Sequence, residues 1–283
     1  MKNGIILDTD IGYDPDDMFA LLLLLRSPEL GIDLIVTGDE VGGKRAAFTR
    51  KVLDQYGRQD IRVVQGEDLG NRDFVVDELV QDFPYSADTN YLDAMKEVLD
   101  ISDRVVYIGI QGFTNLANLL KRFPEIREKL IVFQMGGAVD YSRRPGWVEH
   151  NVKIDKEAAR YVLASGADIS LVMAQTTFNP TYMVDDQHDL YKKLKSSESP
   201  VYKMLARHIE LFHEATTFWP YMHDPLTVAI ALGKYFVDFY ESAVSMDEYG
   251  NLYISSGSPK LRLSKPESKD KEFMKYLDER LFS

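Results

Sequence analysis

Six short runs rich in β-branched residues, with stretches of helical spacing between them, fill the first two thirds of the chain and narrow its fold to one class. The runs lie at 4–8 (GIILD), 33–38 (DLIVTG), 61–66 (IRVVQG), 104–110 (RVVYIGI), 129–135 (KLIVFQM) and 168–174 (DISLVMA). Such near-continuous apolar runs belong to strands covered on both faces. Helical spacing follows at 16–27, 42–57, 90–100, 113–123 and 156–166. Repeated βα units predict an α/β fold, a mostly parallel open sheet flanked by helices. Beyond about residue 180 the pattern turns helical (190–216). A small antiparallel stretch near the C-terminus (242–263) follows, with Tyr249, Gly250 and Asn251 as a turn signal, and a last helix at 269–282 closes the chain. No repeat, low-complexity segment or linker interrupts the pattern, so the expectation is one domain over 1–283.

Ligands in such sheets sit outside the carboxyl ends of the strands. There the first run leads into DTDIGYDPDD, with aspartates at 8, 10, 14, 16 and 17. Gly12 lets the loop turn tightly. A helix start at Asp16 or Asp17 accounts for one capping carboxylate, even two, but not for five. Hard oxygen ligands at this density suit Ca²⁺ or Mg²⁺, whose charge removes the mutual repulsion. The formal net charge of −12 argues against a nucleic-acid backbone or an anionic membrane as partner, and favours a small neutral ligand or a cation. The absence of cysteine excludes disulfides, thiolate catalysis and Cys-ligated zinc. The first ten residues have no apolar h-region, and the longest apolar run, 18–25, is too short to span a bilayer. The expectation is a cytoplasmic protein.

DTDIGYDPDD with the following MFALL resembles the N-terminal signature of the inosine-uridine-preferring nucleoside hydrolases, which split the N-glycosidic bond of ribonucleosides. Further segments match in order: IGIQGFTNLANL (108–119), FQMGGAVD (133–140) with VEHNVKIDKEAA (148–159), and MHDPLTVA (222–229). The likeness spans nearly the whole chain. It implies Ca²⁺ held by the carboxylates of Asp10, Asp17 and Asp224 and by the main-chain carbonyl of Ile110. Asp10 would also be the general base toward water. Asp16 would accept a hydrogen bond from the ribose 2′-hydroxyl, and Glu149 and Asn151 would hold other hydroxyls. Asn115 would support the metal loop, with Asp8 orienting the residues around it. His223, beside Asp224, would protonate the leaving base, a task suited to a side chain titrating near neutrality. The likeness also implies a homodimer or homotetramer acting on a small-molecule ribonucleoside.

This chain departs from the family pattern mostly around the leaving group. Its YDPDD loop is two residues longer than the common spacing, which makes Asp14 an extra carboxylate; were Asp14 the ligand, the metal set would shift. Asp39 stands where a glycine-asparagine pair is usual and could touch the metal shell or a ribose hydroxyl. His150 replaces a usual aromatic and could line the sugar site. Arg143 and Arg144 are either solvated or meet a substituted 5′ end. Phe218, Trp219 and Tyr221 either stack on a base or pack the helix junction. Histidines 188, 208 and 213 read as ordinary. Two other readings compete. One is a haloacid-dehalogenase-like phosphohydrolase with Asp8 as nucleophile. The other is a catalytically silent relative that binds a ribosyl ligand.

Overall fold

In the computed structural model, which describes residues 3–29 and 31–282, the six runs form β1 (Asn3–Thr9), β2 (Leu34–Thr37), β3 (Arg62–Gln65), β4 (Arg104–Gly109), β5 (Leu130–Met135) and β6 (Asp168–Val172). They pair in parallel in the order β3-β2-β1-β4-β5-β6. Strand alternation divides the core. Ile5, Leu7, Ile35 and Ile108 face one layer of helices, whereas Ile6, Leu34, Val36 and Tyr107 face the other.

The C-terminal strands add more than a local hairpin. β7 (Val237–Met246), β8 (Leu252–Ser255) and β9 (Leu261–Ser268) extend the sheet to nine strands. β9 lies parallel to β6, with Ser170 opposite Arg262 and Leu171 opposite Leu263. β7 runs antiparallel to both of its neighbours, β9 and β8. Arg262 fixes the junction through Ser170 Oγ at 2.8 Å and Asp168 Oδ1 at 2.6 Å. Turn signals reveal which strand follows a turn. They do not reveal that Leu261 and Leu263 are buried against a strand 90 residues earlier.

From β1 the chain winds outward to β2 and β3, then returns to lay β4 on the other side of β1. The carboxyl ends of β1 and β4 therefore frame the crevice where a doubly wound sheet takes its ligand. Asp8 is level with Gly109, and the Ile110 N–H donates to the Asp8 carbonyl at 2.8 Å. Two helices start at this crevice and pack together, Asp16–Leu25 and His223–Ala231. Met18 to Leu24 are buried on every side, which explains an apolar run with no polar face. Among the described residues, no helix is long and apolar enough to cross a membrane.

Candidate active site

The aspartate loop is held from three directions. Gly12 turns it at φ +111°, where a Cβ would sit 2.4 Å from the Phe74 ring, and the Gly12 carbonyl accepts from Val75 N–H at 2.9 Å. Arg45, in the helix Lys44–Tyr56, is 1% exposed. Its guanidinium donates to the carbonyls of Asp10, Ile11 (3.1 Å), Asp39 (2.8 Å) and Asp73 (2.9 Å), and lies 3.8 Å from the Asp39 carboxylate. His208 Nε2 bonds the Tyr13 carbonyl at 3.1 Å. Burial presses its imidazole down to about 3, so the ring is neutral and serves as an N–H donor. Arg45 is the positive group that the sequence reading lacked; nothing in KRAAF distinguishes it from a surface arginine. Arg45→Met, which leaves four carbonyls and a buried carboxylate without it, should cost about 3–5 kcal/mol in urea unfolding.

The carboxylates meet above this loop. Asp16, Asp17 and Asp224 each bring an oxygen within 4.8 Å of the others, and all three are buried. Asp224 N–H, in the first turn of its helix, donates to Asp16 Oδ2 at 3.2 Å, and Thr9 Oγ1 donates to Asp17. Asp14 folds back so that its Oδ1 accepts from Asp16 N–H at 3.3 Å. Asp10 is half-buried, and its charge acts on Asp17, Asp16 and Asp224. Burial first, then this mutual repulsion, drives Asp16, Asp17 and Asp224 well above the usual carboxylate range. Asp14 is raised to about 7, again chiefly by burial. Two helix N-termini soften the crowding without removing it. Three carboxylate oxygens at this spacing could hold a single hard cation, whose oxygen ligands lie about 2.3–2.6 Å away in the case of Ca²⁺.

Beneath the cluster, Asp8 is 1% exposed and accepts from Tyr107 Oη, Gln111 Nε2 (2.7 Å) and Asn115 Nδ2 (2.8 Å). Burial raises it to about 7 against the pull of these donors. A carboxylate so enclosed cannot attack phosphorus, which removes the phosphohydrolase reading. Asn115 also bonds the Thr37 carbonyl (3.2 Å) and Glu67 N–H (3.1 Å), tying three strand ends together. Tyr107 and Gln111 are the partners that sequence alone did not single out.

On one flank, Glu149 caps the short helix His150–Lys153 and accepts from Asn151 N–H (3.0 Å), Val152 N–H (3.1 Å) and Gly137 N–H (2.7 Å). Asn151 Nδ2 donates to the Met135 carbonyl at 3.2 Å. His150 is exposed; burial raises the Asp10 carboxyl, and the charges of Arg45 and then His150 oppose that rise. Asp39, at φ 46°, accepts from Asn71 Nδ2 at 2.9 Å through Oδ2, while its buried Oδ1 has no partner.

The other flank is aromatic. His223 Nδ1 lies 2.6 Å from Thr177 Oγ1. Its ring meets Phe178 edge-on at 4.6 Å and stacks on Tyr221 at 5.7 Å. Arg143 places its guanidinium 3.8 Å over Phe178. Burial, aided by the Arg143 charge, lowers His223 to about 3, far from the near-neutral titration expected of it. Trp219 stacks instead on His213 at 3.8 Å, its only ring partner among the described residues, at the end of the helix Pro200–Thr216. Phe218 is exposed.

The family model described as inosine-uridine preferring nucleoside hydrolase matches residues 5–278. The chain is 29% identical over 278 residues to the pyrimidine-specific ribonucleoside hydrolase RihA of Shewanella sp. (strain MR-7), covering 90% of this chain and 85% of that one. It is 30% identical to the protein of the same name from Enterobacter sp. (strain 638), covering 81% and 79%. In structure it is similar to a purine-preferring ribonucleoside hydrolase from Gardnerella vaginalis (TM-score 0.85, 22% identity, covering 99% and 98%). A plant nucleoside hydrolase superposes with TM-score 0.81 at 24% identity, covering 100% and 99%.

Proposed function

Because the chain belongs to the inosine-uridine preferring nucleoside hydrolase family and is a ribonucleoside hydrolase like its relatives, we propose that the crevice above β1 and β4 is its catalytic site and is Ca²⁺-dependent. The observation that carries this is the meeting of Asp16, Asp17 and Asp224 within 4.8 Å, with Asp10 alongside. Asp10, Asp17, Asp224 and the main-chain carbonyl of Ile110 would hold the ion, with Asp16 near enough to join them. Oxygen ligands in this number suit Ca²⁺ better than Mg²⁺, which keeps most of its waters. When bound, the ion supplies the charge that lets these carboxylates ionise together and acidifies nearby water.

Asp10 is the base. Burial raises its carboxyl above the usual range, while the charges of Arg45 and His150 pull the other way and favour the ionised form. It takes a proton from water as the water oxygen bonds to C1′ and the bond from C1′ to the base breaks. The surrounding carboxylates stabilise the positive charge that develops on the sugar. Asp16 and Asn151 bind ribose hydroxyls. Glu149 joins them through Oε1, which carries one internal bond against two on Oε2. Asp39, through its unpartnered Oδ1, and His150 complete the sugar side.

His223 meets the departing base. Being neutral across the working range, the ring acts as a hydrogen-bond donor through an N–H rather than as an imidazolium. His223→Phe should therefore lower kcat about 100-fold while leaving the shape of the kcat profile between pH 5 and 8 unchanged. A limb near 6.5 that the variant loses would show instead that His223 works in its charged form. The function itself is tested by ribose release from uridine, cytidine and inosine, starting with the pyrimidine class named for the matched relatives. No release from any nucleoside would overturn the proposal.

A further inference from the structure

The segment that bears Arg143 also shapes a second cleft, of about 400 Å³, lined by Arg144, Trp147, Lys153, Lys156 and Tyr249 among others. A turn builds its near wall: Trp147 N–H donates to the Arg144 carbonyl at 3.0 Å, across Pro145 and a Gly146 at φ +73°. That geometry demands glycine at the third position and sets Arg144 and Trp147 at the two ends of the turn. Trp147 is fixed edge-on to Tyr141 at 5.9 Å and to Phe178 at 6.0 Å. Lys153, Lys156, whose Nζ donates to the Glu248 carbonyl at 3.0 Å, and the exposed Tyr249 line the cleft as well.

The charge of this cleft runs against that of the chain. The protein carries a net −12, and many of its cations are paired, as Arg50 is with Asp54, Arg62 with Asp88 and Arg262 with Asp168. Among the described residues, Arg144, Lys153 and Lys156 have no carboxylate within ion-pair distance. Three cations without a carboxylate partner, lining one concave site, match a compact, multiply charged oxyanion. A guanidinium can grip two of its oxygens while ammonium groups supply point charge. The aromatic rims suit a planar or sugar-bearing attachment.

We propose that this cleft binds a phosphate group, either as inorganic phosphate or as the phosphate of a nucleotide. The site is separate from the aspartate crevice, although Trp147 and Phe178 link the two, and the inference does not rest on the hydrolase reading. Calorimetric titration of the full-length, chelator-treated protein with inorganic phosphate, uridine 5′-monophosphate and uridine separates the sources. Saturable phosphate binding that weakens with added salt is the expected result. Tighter binding of the nucleotide than of phosphate would identify the nucleotide as the ligand, and equal binding would identify phosphate alone. The double variant Arg144→Ser/Lys153→Ser should weaken phosphate at least about tenfold. Both side chains are exposed, and Lys153→Glu provides a second, single-site reading. In a Trp219→Phe background Trp147 is the sole tryptophan, so its fluorescence should change with phosphate. No saturable binding, or equal affinity in wild type and double variant, would overturn the proposal.

Discussion

Asp10→Ala lowers kcat for ribose release by about 10³-fold, within the range set by loss of a positioned general base, and leaves the fold intact. The fold survives because the links from this residue to the rest of the chain are made by its backbone: the Asp10 carbonyl accepts from Arg45. Burial already disfavours its charge, and Asp39 repels it while Arg45 and His150 attract it, so truncation removes a carboxylate whose burial is costly. Asp10 is assigned two roles, base and ion ligand, and Asp10→Asn separates them. The amide oxygen still ligates but cannot take a proton. The asparagine variant should therefore keep most of the calcium-induced rise in Tm while losing activity nearly as far as the alanine variant. Near-wild-type turnover in either variant would refute the role of base.

Chelation is the second large effect. Exhaustive calcium removal should abolish ribose release, and turnover that survives it would sink the metal reading. The metal-free protein should also show an inverted pH dependence of stability. Asp8 and Asp14 are raised to about 7, and Asp16, Asp17 and Asp224 are also raised well above the usual carboxylate range, in each case mainly by burial. A carboxyl raised in the folded state contributes stability that is full below its unfolded pKa, about 4. That contribution is lost as pH rises through the folded value. The Tm of the metal-free protein should thus fall between about pH 5 and pH 8. Calcium binds the ionised carboxylates, so its stabilisation grows over the same interval, reaching about 2.7 kcal/mol at a hundred times Kd. Asp224→Asn should raise the metal-free Tm at pH 8 and abolish the calcium response. A metal-free Tm that rises with pH would show that the cluster does not carry this repulsion.

Much of the aspartate cluster was legible in the sequence. Asp8, Asp10, Asp16 and Asp17 follow an apolar strand that ends at the crevice, and position alone marks them. Asp224 entered through its segment's resemblance, and the structure sets it against Asp16 across more than 200 residues. The expectation for Asp14 was open. It lies in the cluster and is tied to Asp16 N–H, a consequence of the longer loop folding back over the helix start. The aromatic residues divided: Tyr221 joins His223, while Trp219 stacks on His213. Their spacing, two residues apart just before one helix, carried no such distinction.

Periodicity determined the parallel sheet and its helices, because burial on both faces imposes a local pattern on each strand. The acidic loop determined that some positive charge must lie close by, because several carboxylates cannot be ionised together without one. Only the tertiary structure decided that Arg45 and a neutral His208 hold the backbone of that loop, that β9 inserts beside β6, and that two helix N-termini point into one crevice. These are pairings between distant segments. They depend on how layers pack against one another, and no local pattern in the chain records that.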